Sequence, residues 1–272
     1  MITIWQYRHA LMNFVAQRLT VRYKRSILGF LWSFLNPLML ILTYLVVFKY
    51  FFPHSEENYS VKLFCTILAW RFFNSAVMDM SASVSTRLSL IKQVSFPRII
   101  LPVASLIANF IDYLLSLTIL VVVFAAARVT VNWPFLALAG LALLIQVLFT
   151  LGLGLILATL SVYFTDIQFL IGNLFQMWFF LSPILYPASY VLDKIPERIP
   201  PLVGTLYLSN PIAPLMIAYR SIIPNQVPTN PQQGGTPEYY SFLALSGAIA
   251  LVVFIIGLAL FKRYENTFAK EV

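Results

Sequence analysis

The sequence predicts an all-α membrane protein: six transmembrane helices, an amphipathic interface helix before the first, and short re-entrant extracellular helices between the fifth and sixth. Three observations carry this. Hydrophobic residues make up 60% of the 272-residue chain and charged residues only 10%, with mean hydropathy +0.83, against roughly 25% charged residues in soluble domains. Several apolar runs reach the ~20 residues that cross a bilayer's hydrocarbon core. Lys and Arg gather at the ends of those runs, mostly on one side.

Ile4 to Lys24 has helical periodicity, with Ile4, Tyr7, Leu11, Phe14 and Val15 on one face and Gln6, His9, Asn13, Gln17, Thr20 and Lys24 opposite. Such a helix lies in the membrane interface. Met1 to Arg25 is too polar, and the apolar run after it too long, for a cleavable signal, so the segment is expected to stay on the protein. Ile27 to Phe52 is the first span, with Pro37 inside it. Val61 to Met80 is a weaker second span whose Arg71, Asn74 and Asp79 require shielding from lipid. Ser81 to Arg98 is a basic connector closed by the helix-stopping FPR at 96–98.

Ile99 to Ala127 and Trp133 to Tyr163 form long third and fourth spans, and a fifth runs from Asp166 to about Leu185. Eleven prolines then interrupt residues 182–237, so no piece there can span; the stretch from Thr205 to Ile223, broken by Pro211 and Pro214, reads as a re-entrant or surface helix pair. Tyr239 to Phe261 is the sixth span, followed by the tail KRYENTFAKEV. The whole chain, 1–272, is thus a single transmembrane domain: interface helix 1–25, six-span bundle 26–262, tail 263–272.

Six spans place both termini on one side. Arg8, Arg18, Arg22, Lys24 and Arg25 precede span one, Arg87, Lys92 and Arg98 lie between spans two and three, and Lys262, Arg263 and Lys270 follow span six. That side is therefore cytoplasmic. The net charge of +8 reflects this topology, not a basic stripe for nucleic acid. Cys65, the lone cysteine, leaves no intrachain disulfide.

No GxxxxGK followed by Ser or Thr occurs, so nucleotide hydrolysis has to reside on another polypeptide. His9 and His54 fall on opposite sides of the membrane, which excludes a His-based metal site or a Ser/His triad within it. The informative polar groups are intramembrane. Ser105, Asn109, Asp112 and Ser116 form one helical stripe that must face protein or an aqueous path. Arg71 descends on span two to the depth that Asp112 reaches ascending span three, which predicts an ion pair; such a pair serves helix registration at least as well as substrate passage. Trp32, Phe34, Tyr44 and Phe48 on span one and Phe175, Trp178, Phe179 and Tyr186 around span five are candidates for a path that packs on the CH faces of sugars. Helix packing and the interfacial aromatic belt explain most such rings equally well.

Three stretches together resemble a known family: LGFLWSFLNPLML (Leu28 to Leu40), LIKQVSFPRIILPVASLIANFIDYLLSL (Leu90 to Leu117) and DIQFLIGNLFQMWFFLSPILYP (Asp166 to Pro187). They are similar to the permease subunits of type-2 ABC exporters that move lipid-linked polysaccharides, namely O-antigen, capsule and teichoic acid. The resemblance implies residence in the bacterial cytoplasmic (inner) membrane and a homodimer with two cytoplasmic ABC ATPase subunits that bind ATP and Mg, this chain itself binding no cofactor. It further implies that the interface helix and the connector from roughly Ser83 to Arg98 contact the ATPase, through Gln17, Lys24, Arg87, Lys92 and Arg98. The cargo it implies is a polymer on a polyprenyl-pyrophosphate carrier, whose anionic head would be drawn to Arg22, Lys24 and Arg25. Other classes fit the residues too: a proton-coupled secondary transporter using Asp112 and Asp166, a membrane transferase, or an ABC exporter of a small lipid or drug.

Overall fold

The computed structural model describes residues 6–23, 31–50, 58–93, 96–188, 201–223 and 236–268. Every regular element among them is helical: α1 (Arg8–Tyr23), α2 (Trp32–Tyr50), α3 (Tyr59–Ser85), α4 (Leu88–Gln93), α5 (Ile100–Ala126), α6 (Trp133–Tyr163), α7 (Ile167–Phe180), α8 (Pro201–Ser209), α9 (Ala213–Arg220) and α10 (Thr236–Tyr264).

Among the described residues, four helices are long and apolar enough to cross a membrane: α3, α5, α6 and residues Tyr239–Tyr264 of α10. At the positions expected for spans one and five stand shorter helices, α2 of 19 residues and α7 of 14. At 1.5 Å per residue α7 rises about 21 Å, short of the ~30 Å hydrocarbon core, because the chain leaves the helix before Pro183 instead of continuing to Leu185.

The least and the most apolar spans differ sharply in burial. The least apolar span, α3, has 78% of its most apolar window inside the protein, whereas the most apolar, α10, has 22%. A helix carrying Arg71, Asn74 and Asp79 is stable in a bilayer only if other helices surround it, while an all-apolar helix can face lipid. Accordingly α3 lies at the centre, flanked by α5 and α6, with α7 and α9 also against it, and α10 packs along the outer side of α6. That last crossing is set by glycine. A Cβ on Gly152 of α6 would stand 2.5 Å from the backbone N of Phe254 on α10, and Gly257 meets the Gly152 carbonyl in the same way. Small residues let the two backbones touch, so dispersion contacts form along the whole pair.

Polar side chains inside the bundle are satisfied locally or across helices. Ser105, Ser116, Thr150 and Thr159 donate to carbonyls of their own helices, at 2.7 to 2.9 Å. Gln146 on α6 bridges two others: its amide donates to the Ala69 carbonyl of α3 (2.8 Å), and its oxygen accepts from the Tyr219 hydroxyl of α9 (2.5 Å).

The region expected to be a broken helix pair is one. α8 ends at Ser209, Pro211 falls in the link, and Pro214 sits in the first turn of α9, where its missing N–H is not needed. All eight residues of α9 are buried, wedged between α3, α6 and α10.

Candidate functional site

Two polar clusters lie at opposite ends of the bundle, and neither depends on nearby sequence. The first joins α1 to the spans. Val15 is 3% exposed and packs on Ala104 and Ala108 of α5, with Leu11, Phe14 and Leu19 around it, so Leu11, Phe14 and Val15 of the apolar face read from periodicity form the docking face, while Tyr7 is exposed and Ile4 lies outside the described residues. Gln17 on the opposite face is exposed. Beside this contact, Arg18 reaches α3: its Nη1 lies 3.7 Å from Asp79 Oδ2 and its Nη2 donates to the Asp79 carbonyl at 3.3 Å. Asn109 of α5 donates to the same Asp79 Oδ2 at 2.8 Å and to the Ser105 carbonyl at 2.9 Å. One carboxylate thus ties the interface helix to two spans. Ser105, Asn109 and Ser116 are buried, which shows that the stripe on α5 faces protein.

The connector is attached to the same helix. Arg87 lies over the Phe14 ring at 5.5 Å, and Phe96 packs on Phe14 with centroids 5.7 Å apart. Burial pushes the Arg87 guanidinium below its ordinary value. Lys92 is exposed on α4, and Arg98 is half-buried just before α5. Burial pushes the Glu265 carboxyl of the C-terminal segment above its usual range, while Arg98 and Lys262 pull it back, so that segment is electrostatically coupled to the connector. Lys24 and Arg25 lie outside the described residues, as does the side chain of Arg22.

The second cluster is the SPILYP turn after α7. Four carbonyls of this turn meet side-chain donors from other helices. Tyr59 donates to Leu185, Thr66 to Ile184 at 2.9 Å, and Arg220 Nη1 to Tyr186 at 2.6 Å and to Pro183 at 3.4 Å. Asn210 donates to Ser182 Oγ (2.9 Å) and accepts from Trp178 Nε1 (2.8 Å). The break is therefore protein-lined, closed by a buried arginine whose guanidinium also lies 5.6 Å from the Tyr59 ring.

Of the candidate path aromatics, Phe175 is 5% exposed and packs on Trp70, Phe73 and Trp178. Trp178 and Phe179 are half-buried beside Trp70. The Tyr186 hydroxyl donates to the Phe180 carbonyl at 2.8 Å. Trp32 is exposed, and the side chains of Phe34, Tyr44 and Phe48 lie outside the described residues. Arg71 and Asp112 lie on the adjacent helices α3 and α5 at matching depth, since their neighbours Phe72 and Tyr113 stack at 5.2 Å. No group of three His, Cys, Asp or Glu able to hold a metal occurs among the described residues.

The sequence marks Asp79 as a charge in need of shielding but does not single out Arg18 and Asn109 as its partners, or Arg220. Their signal was polarity within an apolar segment; the pairing itself spans 61 residues in one case and 34 in the other.

Known proteins are similar to this chain in sequence over most of its length. Residues 10–223 match the family model for the ABC-2 type transporter. The O-antigen export system permease protein RfbA of Myxococcus xanthus is 30% identical over 269 residues, covering 99% of this chain and 97% of that protein. An RfbA of Klebsiella pneumoniae is 30% identical over 254 residues, 93% of this chain and 90% of its own. The capsule polysaccharide export inner-membrane protein CtrC of Neisseria meningitidis is 24% identical over 195 residues, 67% of this chain and 68% of that one.

Proposed function

The chain belongs to the ABC-2 type transporter family, and from that premise we propose that it is the permease subunit of an ATP-driven exporter of lipid-linked cell-surface polysaccharide. The observation that carries this is the end-to-end likeness to an O-antigen export permease, over 99% of the chain. O-antigen or capsule is the cargo class that the relatives' names support, and teichoic acid is chemically equivalent as a polymer on a polyprenyl carrier. Two copies act with two ATPase subunits that carry ATP and Mg. The chain resides in the bacterial cytoplasmic membrane with both termini inside, as its basic ends favour.

In this reading α2 and α7 complete the count of six spans, and the apolar residues they leave exposed, Leu38, Leu42 and Val46 on α2 and Leu170, Leu174 and Met177 on α7, face a second copy across the transport path. Path-lining aromatics come from these helices, with Trp32 already on the exposed side. ATP-driven closure of the partner subunits acts on α1 and the connector, through Gln17, Lys24, Arg87, Lys92 and Arg98. The Arg18, Asp79 and Asn109 contacts pass that movement to α3 and α5. α8 and α9 close the outer exit. Arg71 pairs with Asp112 to hold the register of α3 against α5. Nothing in the mechanism requires covalent chemistry from this chain.

Deletion tests the cargo. Cells lacking this chain should lose surface polysaccharide and accumulate carrier-linked polymer inside, and a plasmid copy should restore export. Unchanged surface polymer in the deletion strain would refute the assignment.

A further inference from the structure

A cavity of about 300 Å³ lies behind the interface helix, lined by Arg18, Leu19 and Val21 of α1, Asp79 of α3, Arg87 of the connector and Ala108 of α5. Among its described lining residues, cations outnumber anions two to one. Asp79 is matched by Arg18 and by the Asn109 amide, which leaves the Arg87 guanidinium as the excess positive charge. Arg87 Nη1 is buried and has no hydrogen-bond partner among the described residues, and the Phe14 ring beneath its guanidinium offers only a weak compensation. A buried N–H on a cation costs free energy until an acceptor meets it. The rest of the described lining, Leu19, Val21 and Ala108, is apolar, and Val21, 62% exposed, marks an open rim.

A cationic donor pair set in an apolar wall at the end of two spans matches an anionic headgroup with acyl or prenyl chains beside it. We propose that this cavity binds the phosphate group of an anionic lipid, with Arg87 as principal ligand and Arg18, steered by Asp79, as the second. Arginine suits the role because its planar fork presents parallel donors to phosphate oxygens. The occupied site would join connector, interface helix and bilayer, so lipid composition would tune how firmly α1 is held. This deepens the exporter reading only in placing the cavity on the cytoplasmic side; the binding itself needs neither ATPase nor cargo.

Native mass spectrometry of the full-length chain, exchanged into phosphatidylglycerol, polyprenyl phosphate or phosphatidylcholine, reads the binding directly. Wild type should retain one of the two anionic lipids about tenfold better than phosphatidylcholine, a preference worth one charge-assisted contact. Arg87→Gln should reduce retention to the phosphatidylcholine level, and Arg87→Lys should keep part of it. Val21→Trp, at the exposed rim where folding is not at stake, should block the site without touching any charge. Preference for phosphatidylglycerol or for polyprenyl phosphate identifies the headgroup source. Equal retention of all three lipids, or full retention in both Arg87→Gln and Val21→Trp, overturns the proposal. Displacement of both anionic lipids by inorganic phosphate would assign the site to the free anion and overturn the lipid part. Because no transport is measured, failure here leaves the exporter reading untouched, and failure of export leaves this result standing.

Discussion

Gly152→Leu should prevent the chain from folding, whereas Gly140→Leu on the same helix should be tolerated. The difference is geometric. At Gly140 a new Cβ meets nothing within 4 Å, but at Gly152 it would lie 2.5 Å from the Phe254 nitrogen, 2.6 Å from its Cα and 2.7 Å from the Val253 carbonyl carbon. Those atoms belong to helix backbone and cannot rotate away, so α6 and α10 would have to separate along the most extensive helix contact among the described residues. Overpacking of this kind costs about 3 kcal/mol or more. In lipid the loss is not offset by hydrophobic burial elsewhere, since helix association there rests on close packing. Thermal unfolding and monodisperse recovery in detergent check it: Gly152→Leu should show neither, and Gly140→Leu should match wild type.

Arg220→Met should loosen the SPILYP turn and, in the proposed exporter, abolish export while leaving the long spans intact. The substitution keeps the volume roughly constant and removes the donor to the Tyr186 and Pro183 carbonyls. Each carbonyl left unpaired in a buried site costs about 1–3 kcal/mol. Removing the guanidinium relieves its own desolvation, which works in the opposite direction. The carbonyls win because backbone at SPILYP has no helical partner to return to, and a net loss of about 2 kcal/mol follows. Arg220→Lys should recover part of it, since one ammonium can reach one carbonyl at a time. Thiol labelling of an Ala188→Cys reporter, 6% exposed in the wild-type fold, should become fast in Arg220→Met and stay slow in wild type. A slow reporter in both would show that Arg220 does not hold the turn.

What the sequence disclosed, and what it withheld, divides along chain separation. The amphipathic face of α1 was legible because its period is local, and Val15 sits where that period puts it. The break between α8 and α9 was legible from Pro211 and Pro214, and the shielding of α3 from Arg71, Asn74 and Asp79. Apolar content continuing through Ile184 and Leu185 extends span five in the sequence, although the helix ends at Phe180, ahead of Pro183. Partner choice was not legible. Arg18 with Asp79, Gln146 with Tyr219 and Arg220 with Tyr186 are fixed by how helices pack, and no periodicity within one helix encodes which neighbour it meets. Arg18 in particular reads as one topology charge among several until α1 is laid against α3. The glycine crossing left a trace, since Gly152 and Gly257 are small residues in apolar helices, but only the fold pairs them.

The central claim is that a separate ATPase drives this chain through α1 and the connector. The direct measurement is ATP hydrolysis by the complex of this chain with its nucleotide-binding partner in lipid, wild type beside a variant carrying Lys92→Ala and Arg98→Ala. The account predicts a stable complex whose ATPase responds to lipid-linked polymer, and a variant that still folds but loses that response by about tenfold or more, the equivalent of at least one charge-assisted contact. Failure of any ATPase subunit to associate with the folded chain, or a polymer response identical in wild type and variant, would contradict it.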